Sequence, residues 1–417
     1  MRLRAAFFGA PVAWAATVVL GRHDDGSGGQ QQVLGAGDNN ETARVNGFVA
    51  FGDSYSAGIG TRVENGTENA CRQGDGAYPE LIHGDMVAAA PAGRNVTLQF
   101  LSCTGATTDN VLAGGERSQM DAFNASAAAG SDFATLSIGG NDLGFFDVMN
   151  ACVFHFYSFY SGTCQTALEA AAARITSPDF ELRLGLVLME ILDKVRWEKR
   201  TSFSITVTGY ARFFNADTEE CDDMSLGVWW PPALLGGPKM HQSMRRQMNE
   251  LVVAVNKKLL RVVSDVNSRF ANPRVLFVDY DAEFDGHRFC EPGVSEPDYL
   301  RAETWFFLPA GPDNAQPEPD TDTLIASNAL EPDSPLVDPN SCLPEAERSG
   351  DWGELALCLM ATAKQRNPSL ELRNDLLVTK DSMWYVPTYY GKTFHPRSLG
   401  HEAIRKKIYE VWFAGNN

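Results

Sequence analysis

The chain has 417 residues, 44% of them hydrophobic, ample for a packed core in one large domain or two. Its 35 Lys+Arg stand against 53 Asp+Glu, a formal charge of -18. Nucleic acid and anionic membrane surfaces are thereby excluded as main partners, because either would repel it.

Met1-Arg2-Leu3-Arg4 is a basic start to an apolar run from Ala5 to Leu20, after which the chain turns polar and Gly-rich. The run is too short to span a bilayer and is interrupted by Pro11, so residues 1–20 read as a secretory signal peptide rather than an anchor. No later segment is long and apolar enough for stable membrane insertion. Residues 21–42, dense in Gly, Gln, Asp and Asn, form a flexible leader with almost nothing to bury. The remainder, 43–417, is expected to be one domain.

Cysteines occur at Cys71, Cys103, Cys152, Cys164, Cys221, Cys290, Cys342 and Cys358. An even count suits an oxidising compartment and up to four disulfides, with the connectivity open. Cys152 and Cys164 are close enough in sequence to close a small loop. No Cys-x-x-Cys or His-x-x-x-His spacing supports a zinc site. Asn40, Asn65, Asn95 and Asn124 each head an Asn-x-Ser/Thr acceptor for glycosylation, in keeping with export.

A first strand is expected at about 46–51, where Phe48-Val49-Ala50-Phe51 is a continuous apolar run of the kind a strand buried on both faces shows. Gly52-Asp53-Ser54-Tyr55 breaks it. Val96 to Leu101 leads into Ser102-Cys103-Thr104-Gly105, and Phe133 to Ile138 into Gly139-Gly140-Asn141-Asp142. Two further strands fit residues 202–209 and 274–279. Helices are predicted over 167–174, 181–197 and 239–269; the last carries Met244, Met248, Leu251, Val255, Leu259, Val262 and Val266 at helical spacing, a stripe expected to be core packing. Residues at about 309–350 are rich in Pro, Asp and Asn and read as a surface excursion, with a lid over the site as the alternative. A final helix begins at Ser398 or Gly400, just after His395-Pro396. Strands alternating with helices imply an α/β fold, a mostly parallel sheet with helices on both faces.

A serine hydroxyl is a weak nucleophile until a base takes its proton, and the oxyanion formed on an attacked carbonyl needs donors already in place. Ser54, Gly105 and Asn141 each follow a strand, and in a parallel sheet the three strand ends share one edge. His395 sits in a loop, free to reach across that edge. Alternatively Ser54 is a helix N-cap at an ordinary strand-to-helix turn.

GDSY at 52–55, the Gly of SCTGAT at 105, GGND at 139–142 and HP at 395–396 together resemble the four blocks of the SGNH or GDSL hydrolases, over about 45–413. That resemblance implies a three-layer, flavodoxin-like sandwich with a five-stranded parallel sheet in the order 2-1-3-4-5, and ester hydrolysis without a cofactor. It also implies Ser54 as nucleophile, His395 as general base and then acid, and an oxyanion hole made by the Ser54 and Gly105 N–H groups and the Asn141 amide. Asp53 and Asp142 would brace the turns.

Many members carry an aspartate three residues before the histidine, where this chain has Lys392. A lysine side chain cannot accept an imidazole N–H; the resemblance to secreted members that use a backbone carbonyl there implies a Ser-His dyad oriented by the Lys392 backbone carbonyl, its side chain pointing to solvent, with Asp381 the alternative acid. His287, also in a block resembling secreted members, is expected to be structural, and neither it nor His401 the base. A bridge from Cys103 to Cys71 would pin the loop that carries Gly105. Phe145, Phe146, Phe154, Phe156, Tyr157, Phe159 and Tyr160 form either an acyl groove or core, with core favoured. The expected partner is a small-molecule, lipid or polysaccharide ester met by a monomer, and a carbohydrate acetyl esterase or a sugar-binding protein without catalysis are the alternatives.

Overall fold

The computed structural model describes residues 45–63, 69–126, 130–154, 163–225, 239–308, 311–315, 340, 344, 362, 366 and 388–414. The apolar run at 48–51 lies inside β1, Gly47–Gly52, every residue of which is buried. On either side of it run β2, Thr97–Phe100, and β3, Ala134–Ser137; β4, Ile205–Thr208, and β5, Val275–Val278, continue the sheet beyond β3. All pairings are parallel and the order is β2-β1-β3-β4-β5. Because Gly52 is in register with Ser137, the turns that follow β1 and β3 start level with each other.

The helices follow from the same pattern. α1, Ser54–Ala57, starts directly after β1, with Asp53 as its N-cap. α2, Tyr78–Ala89, joins β1 to β2; the short α3, Thr108–Val111, and α4, Gln119–Ala122, lie before β3. α5, Phe145–Met149, runs into a π-helical turn, Asn150–Phe154. α6, Cys164–Thr176, and α7, Pro178–Val195, share Ser177, whose hydroxyl accepts from the Asp179 N–H while Pro178 opens α7. Proline suits that first helical position, where its missing N–H would have had no helical partner. α8, Gln242–Asn267, is the long helix of the Met-containing stripe and stops short of Pro273. α9, Thr388–Gly391, and α10, Ser398–Phe413, flank His395. α2 packs with α10, and α8 with α6 and α7, so the sheet lies between two helical layers.

Disulfides join Cys71 to Cys103, Cys152 to Cys164 and Cys221 to Cys290. Cys342, Cys358, Asn40, Asn65, Asp381, the segments 1–20 and 21–42, and Phe156, Tyr157, Phe159 and Tyr160 lie outside the described residues. Asn95 and Asn124 are exposed. Of the excursion at about 309–350, only residues 311–315, 340 and 344 lie among the described residues; there the Asp313 carboxylate accepts from the Arg62 N–H at 2.9 Å and the Ser398 N–H at 2.9 Å, tying the segment to the start of α10.

Candidate active site

Gly52 ends β1 at φ +139, and a Cβ there would stand 2.2 Å from the Ser137 carbonyl oxygen, so only glycine lets β1 turn this close to β3. The turn delivers Asp53 and Ser54, both buried, to the carboxyl edge of the sheet. Asp53 caps α1 through a 2.9 Å bond from the Tyr55 N–H to Oδ1.

From the other end of the chain His395 reaches the same point: its Nε2 lies 2.6 Å from Ser54 Oγ. Its Nδ1 is 3.1 Å from both the Lys392 and the Thr393 carbonyl oxygens. Carbonyls only accept, so Nδ1 carries the ring proton and Nε2 is left to accept from the Ser54 hydroxyl. Burial lowers the imidazole to about 4, against the two carbonyl bonds, which raise it.

The segment before His395 is held tightly. Phe394 adopts φ +64, a conformation that costs a non-glycine residue on the order of 1–3 kcal/mol. It is buried among Phe213, Phe214 and Phe289, with ring centroids 5.4, 5.4 and 5.0 Å away. Its N–H donates to the Phe307 carbonyl at 2.9 Å, and its own carbonyl accepts from the Tyr55 hydroxyl at 2.8 Å.

Lys392 does not extend into solvent as the sequence suggested. Its side chain is buried, with the stem against Gly60 and the ammonium 4.7 Å from the centre of the Phe307 ring. An alkyl stem gains by covering apolar surface, and an aromatic face attracts the charge at its end.

Asn141, expected to be an oxyanion donor, lines the same cavity as Ser54 and donates from Nδ2 to the Ala106 carbonyl at 3.0 Å, which ties it to the residue after Gly105. An amide has two N–H donors, so one remains. Gly105 itself, at φ +86, does not line the cavity. Among the described residues neither its N–H nor that of Ser54 donates to a protein group. Asp142 braces its turn by accepting from the Thr108 N–H and hydroxyl. His287 and His401 stay away from Ser54: His287 stacks on Trp305 at 3.5 Å, and His401 Nδ1 accepts from the Tyr78 N–H.

The Gly105 loop is anchored as the cysteines suggested. The Cys71 carbonyl accepts from Thr104 N–H at 3.1 Å, and the Gly52 carbonyl from Cys103 N–H at 3.0 Å, beside the Cys71–Cys103 bridge. Replacing both cysteines by alanine removes about 4 kcal/mol of chain-entropy stabilisation for their 32-residue separation. At a temperature where the fold persists by circular dichroism, loosening the Gly105 loop, expected from the sequence to carry an oxyanion donor, should lower kcat for ester hydrolysis by about tenfold. An unchanged kcat would uncouple bridge and loop.

Beside Ser54 opens an apolar cavity with about 660 Å³ of empty space, its open mouth included. Phe145 and Phe213 line it, Ala171 and Ile175 come from α6, and Met248 and Val255 from α8. The helix stripe expected to be core alone therefore also forms a wall. Phe145 is the one of the seven clustered aromatics that the cavity draws on among the described residues. Sequence reasoning missed Tyr55, Thr393, Phe394 and Tyr210, although Tyr210 follows β4 at the same sheet edge and was open to the logic that found Ser54 and Asn141.

Sheet order and polar turns gathered at one carboxyl edge place the chain among the open α/β proteins of flavodoxin-like topology. Within that class it belongs to the GDSL-like lipase/acylhydrolase family, whose model matches residues 50–288. It is 32% identical over 178 residues to Lipase 1 of Streptomyces coelicolor, covering 43% of this chain and 57% of that one. To a lipase of Streptomyces rimosus it is 30% identical over 167 residues, or 40% and 53% of the two chains. The chain thus spans a little over half the length of these relatives. A crystal structure of phospholipase A1 from Streptomyces albidoflavus superposes with a TM-score of 0.43 at 25% identity, covering 59% of this chain and 84% of that one.

Proposed function

We propose that this protein is a secreted serine esterase that hydrolyses carboxylic esters of aliphatic acids through an acyl-enzyme. One observation carries the reading: a serine hydroxyl 2.6 Å from an imidazole whose other nitrogen is committed to backbone carbonyls, at the mouth of an apolar cavity. Ser54 Oγ attacks the ester carbonyl carbon while His395 Nε2 takes its proton. The oxyanion receives the Ser54 and Gly105 N–H groups and the second Asn141 amide proton. Collapse expels the alcohol, which leaves with the proton from His395. Water, deprotonated by the same nitrogen, then releases the acid. The Lys392 and Thr393 carbonyls stabilise the transient imidazolium in place of a carboxylate.

Family membership and the lipases among its relatives support ester substrates, and the apolar cavity favours an acyl chain over acetyl. Three disulfides, the signal-like start and the exposed acceptors Asn95 and Asn124 favour export and glycosylation. No cofactor enters the scheme, and the protein acts as a monomer. The test is hydrolysis of p-nitrophenyl esters from acetyl to palmitoyl, with Ser54→Ala as control. The rate is expected to depend on Ser54 and to rise from acetyl to medium or long chains. A peak at acetyl would move the substrate to small acyl groups, as on polysaccharide; no turnover at any length would overturn the esterase.

A further inference from the structure

We propose that Tyr210 is a positioning residue for this reaction: its hydroxyl locks the turn bearing Asn141 to the turn bearing Ser54, and so fixes the Asn141 amide where the oxyanion forms. The inference rests on the reading above that Ser54 and Asn141 serve ester hydrolysis.

Tyr210 follows β4, and one side chain holds both of its backbone groups. Its N–H donates to Asn256 Oδ1 at 2.9 Å, and its carbonyl accepts from Asn256 Nδ2 at 2.8 Å. The ring meets that of Tyr55 edge-on at 5.0 Å and lines the cavity. At its tip the hydroxyl touches two different turns: it is 3.0 Å from the Gly140 nitrogen and 2.8 Å from Asp53 Oδ2. An amide N–H can only donate, so the hydroxyl accepts from Gly140 and spends its own proton on Asp53. Asp53 in turn caps α1, whose first residue is Ser54.

The carbonyls of Gly139, Gly140 and Asn141 are held locally, by the N–H groups of Leu143, Phe145 and Gly144, whereas the Gly140 N–H is held from outside the turn, by the Tyr210 hydroxyl. The turn begins Gly139-Gly140, and Gly139 sits at φ +122, so the peptide entering Asn141 has no side chain of its own to hold it. The Asn141 amide bonds to Ala106 on one side, and the Tyr210 hydroxyl grips the preceding peptide on the other. Burial raises Asp53 to about 7, and the Tyr210 bond is the foremost interaction that opposes the rise. The hydroxyl therefore sits in a buried network in which each bond is strong and the loss of one is felt by the rest.

A residue that merely fills the cavity wall would act through its ring. One that positions the oxyanion donor acts through its hydroxyl. Tyr210→Phe separates the two, because it keeps the ring. With the full-length protein and p-nitrophenyl octanoate, Tyr210→Phe is expected to lower kcat by about 10- to 50-fold with KM within about twofold, since small misplacements of a donor cost rate rather than binding. Asn141→Ala is expected to lower kcat by about 10² to 10³ in the wild type but by less than about tenfold further in the Tyr210→Phe background, because the donor there is already misaimed. Tyr78→Phe, which removes another buried hydroxyl, 3.3 Å from Ser56 Oγ, controls for stability and keeps kcat within about twofold at a similar loss of melting temperature. The proposal is overturned if Tyr210→Phe keeps its kcat, if it raises KM instead, if Tyr78→Phe matches its loss of kcat, or if its effect multiplies in full with that of Asn141→Ala. A Ser54→Ala variant that still turns over the ester would instead sink the parent reading.

Discussion

Ser54→Ala is expected to lower kcat for ester hydrolysis by about 10⁴ to 10⁶, His395→Ala by a similar factor, and the double variant by no more than either alone. The two groups share one proton, held across 2.6 Å. Removing either end abolishes the same step, and what remains is rate supplied by binding and the oxyanion donors. Multiplicative losses would mean that the two side chains act in separate steps. The pH profile gives a second check. As the proposed base His395 would act only when neutral, and burial lowers it to about 4, so kcat/KM should hold from neutral into mildly acidic solution and fall with a slope of one proton below about pH 4. Asp53, raised by burial to about 7, titrates within that plateau. Its oxygens meet the Tyr55 N–H and the Tyr210 hydroxyl rather than Ser54 Oγ or His395, so its ionisation is expected to leave both the level between neutral and mildly acidic pH and the acid limb within about twofold. An acid limb near pH 6.5, where an unperturbed histidine titrates, would mean that the imidazole is far better solvated than in this structure.

Much of this arrangement could be read from the chain. Phe48 to Phe51 is an apolar run, Val96 to Leu101 and Phe133 to Ile138 are strand-like runs of mostly apolar residues, all three stop at glycine and small polar residues, and parallel pairing carries the three stops to one edge. The helix at 242–267 was legible for the same reason, since its period is local. Its second duty was not: Met248 and Val255 repeat at the same spacing whether they meet core or cavity, and only the position of α6 opposite decides. The Lys392 carbonyl was expected from the family resemblance, whereas the Thr393 carbonyl depends on the turn of the backbone at Phe394. That turn is held by Phe213, Phe214 and Phe289, more than a hundred residues away in the chain. The burial of Lys392 was missed for a related reason. A lysine in a loop is ordinarily solvated, and nothing local announces the Phe307 ring beneath its ammonium.

Ala171→Phe is expected to reverse the acyl-chain preference. Ala171 and Ile175 lie one turn apart on α6, both buried and both on the cavity wall, where α8 contributes Met248, Leu251, Val252 and Val255. A phenylalanine at 171 would occupy space that an extended acyl chain needs. If about four methylenes lose their apolar surroundings at about 0.8 kcal/mol each, the loss is about 3 kcal/mol, or about 10² in kcat/KM for octanoyl and longer esters. Acetyl ester, which does not reach that depth, should stay within about threefold. The extra bulk also costs about 1–3 kcal/mol of stability, visible as a lower melting temperature, but lost stability slows all chain lengths alike. Selectivity between octanoyl and acetyl is therefore the decisive quantity. Ile175→Ala should move it the other way by opening the same wall. Equal losses across the series would mean that acyl chains do not enter between α6 and α8, and that the cavity beside Ser54 is a packing defect and not the substrate's binding site.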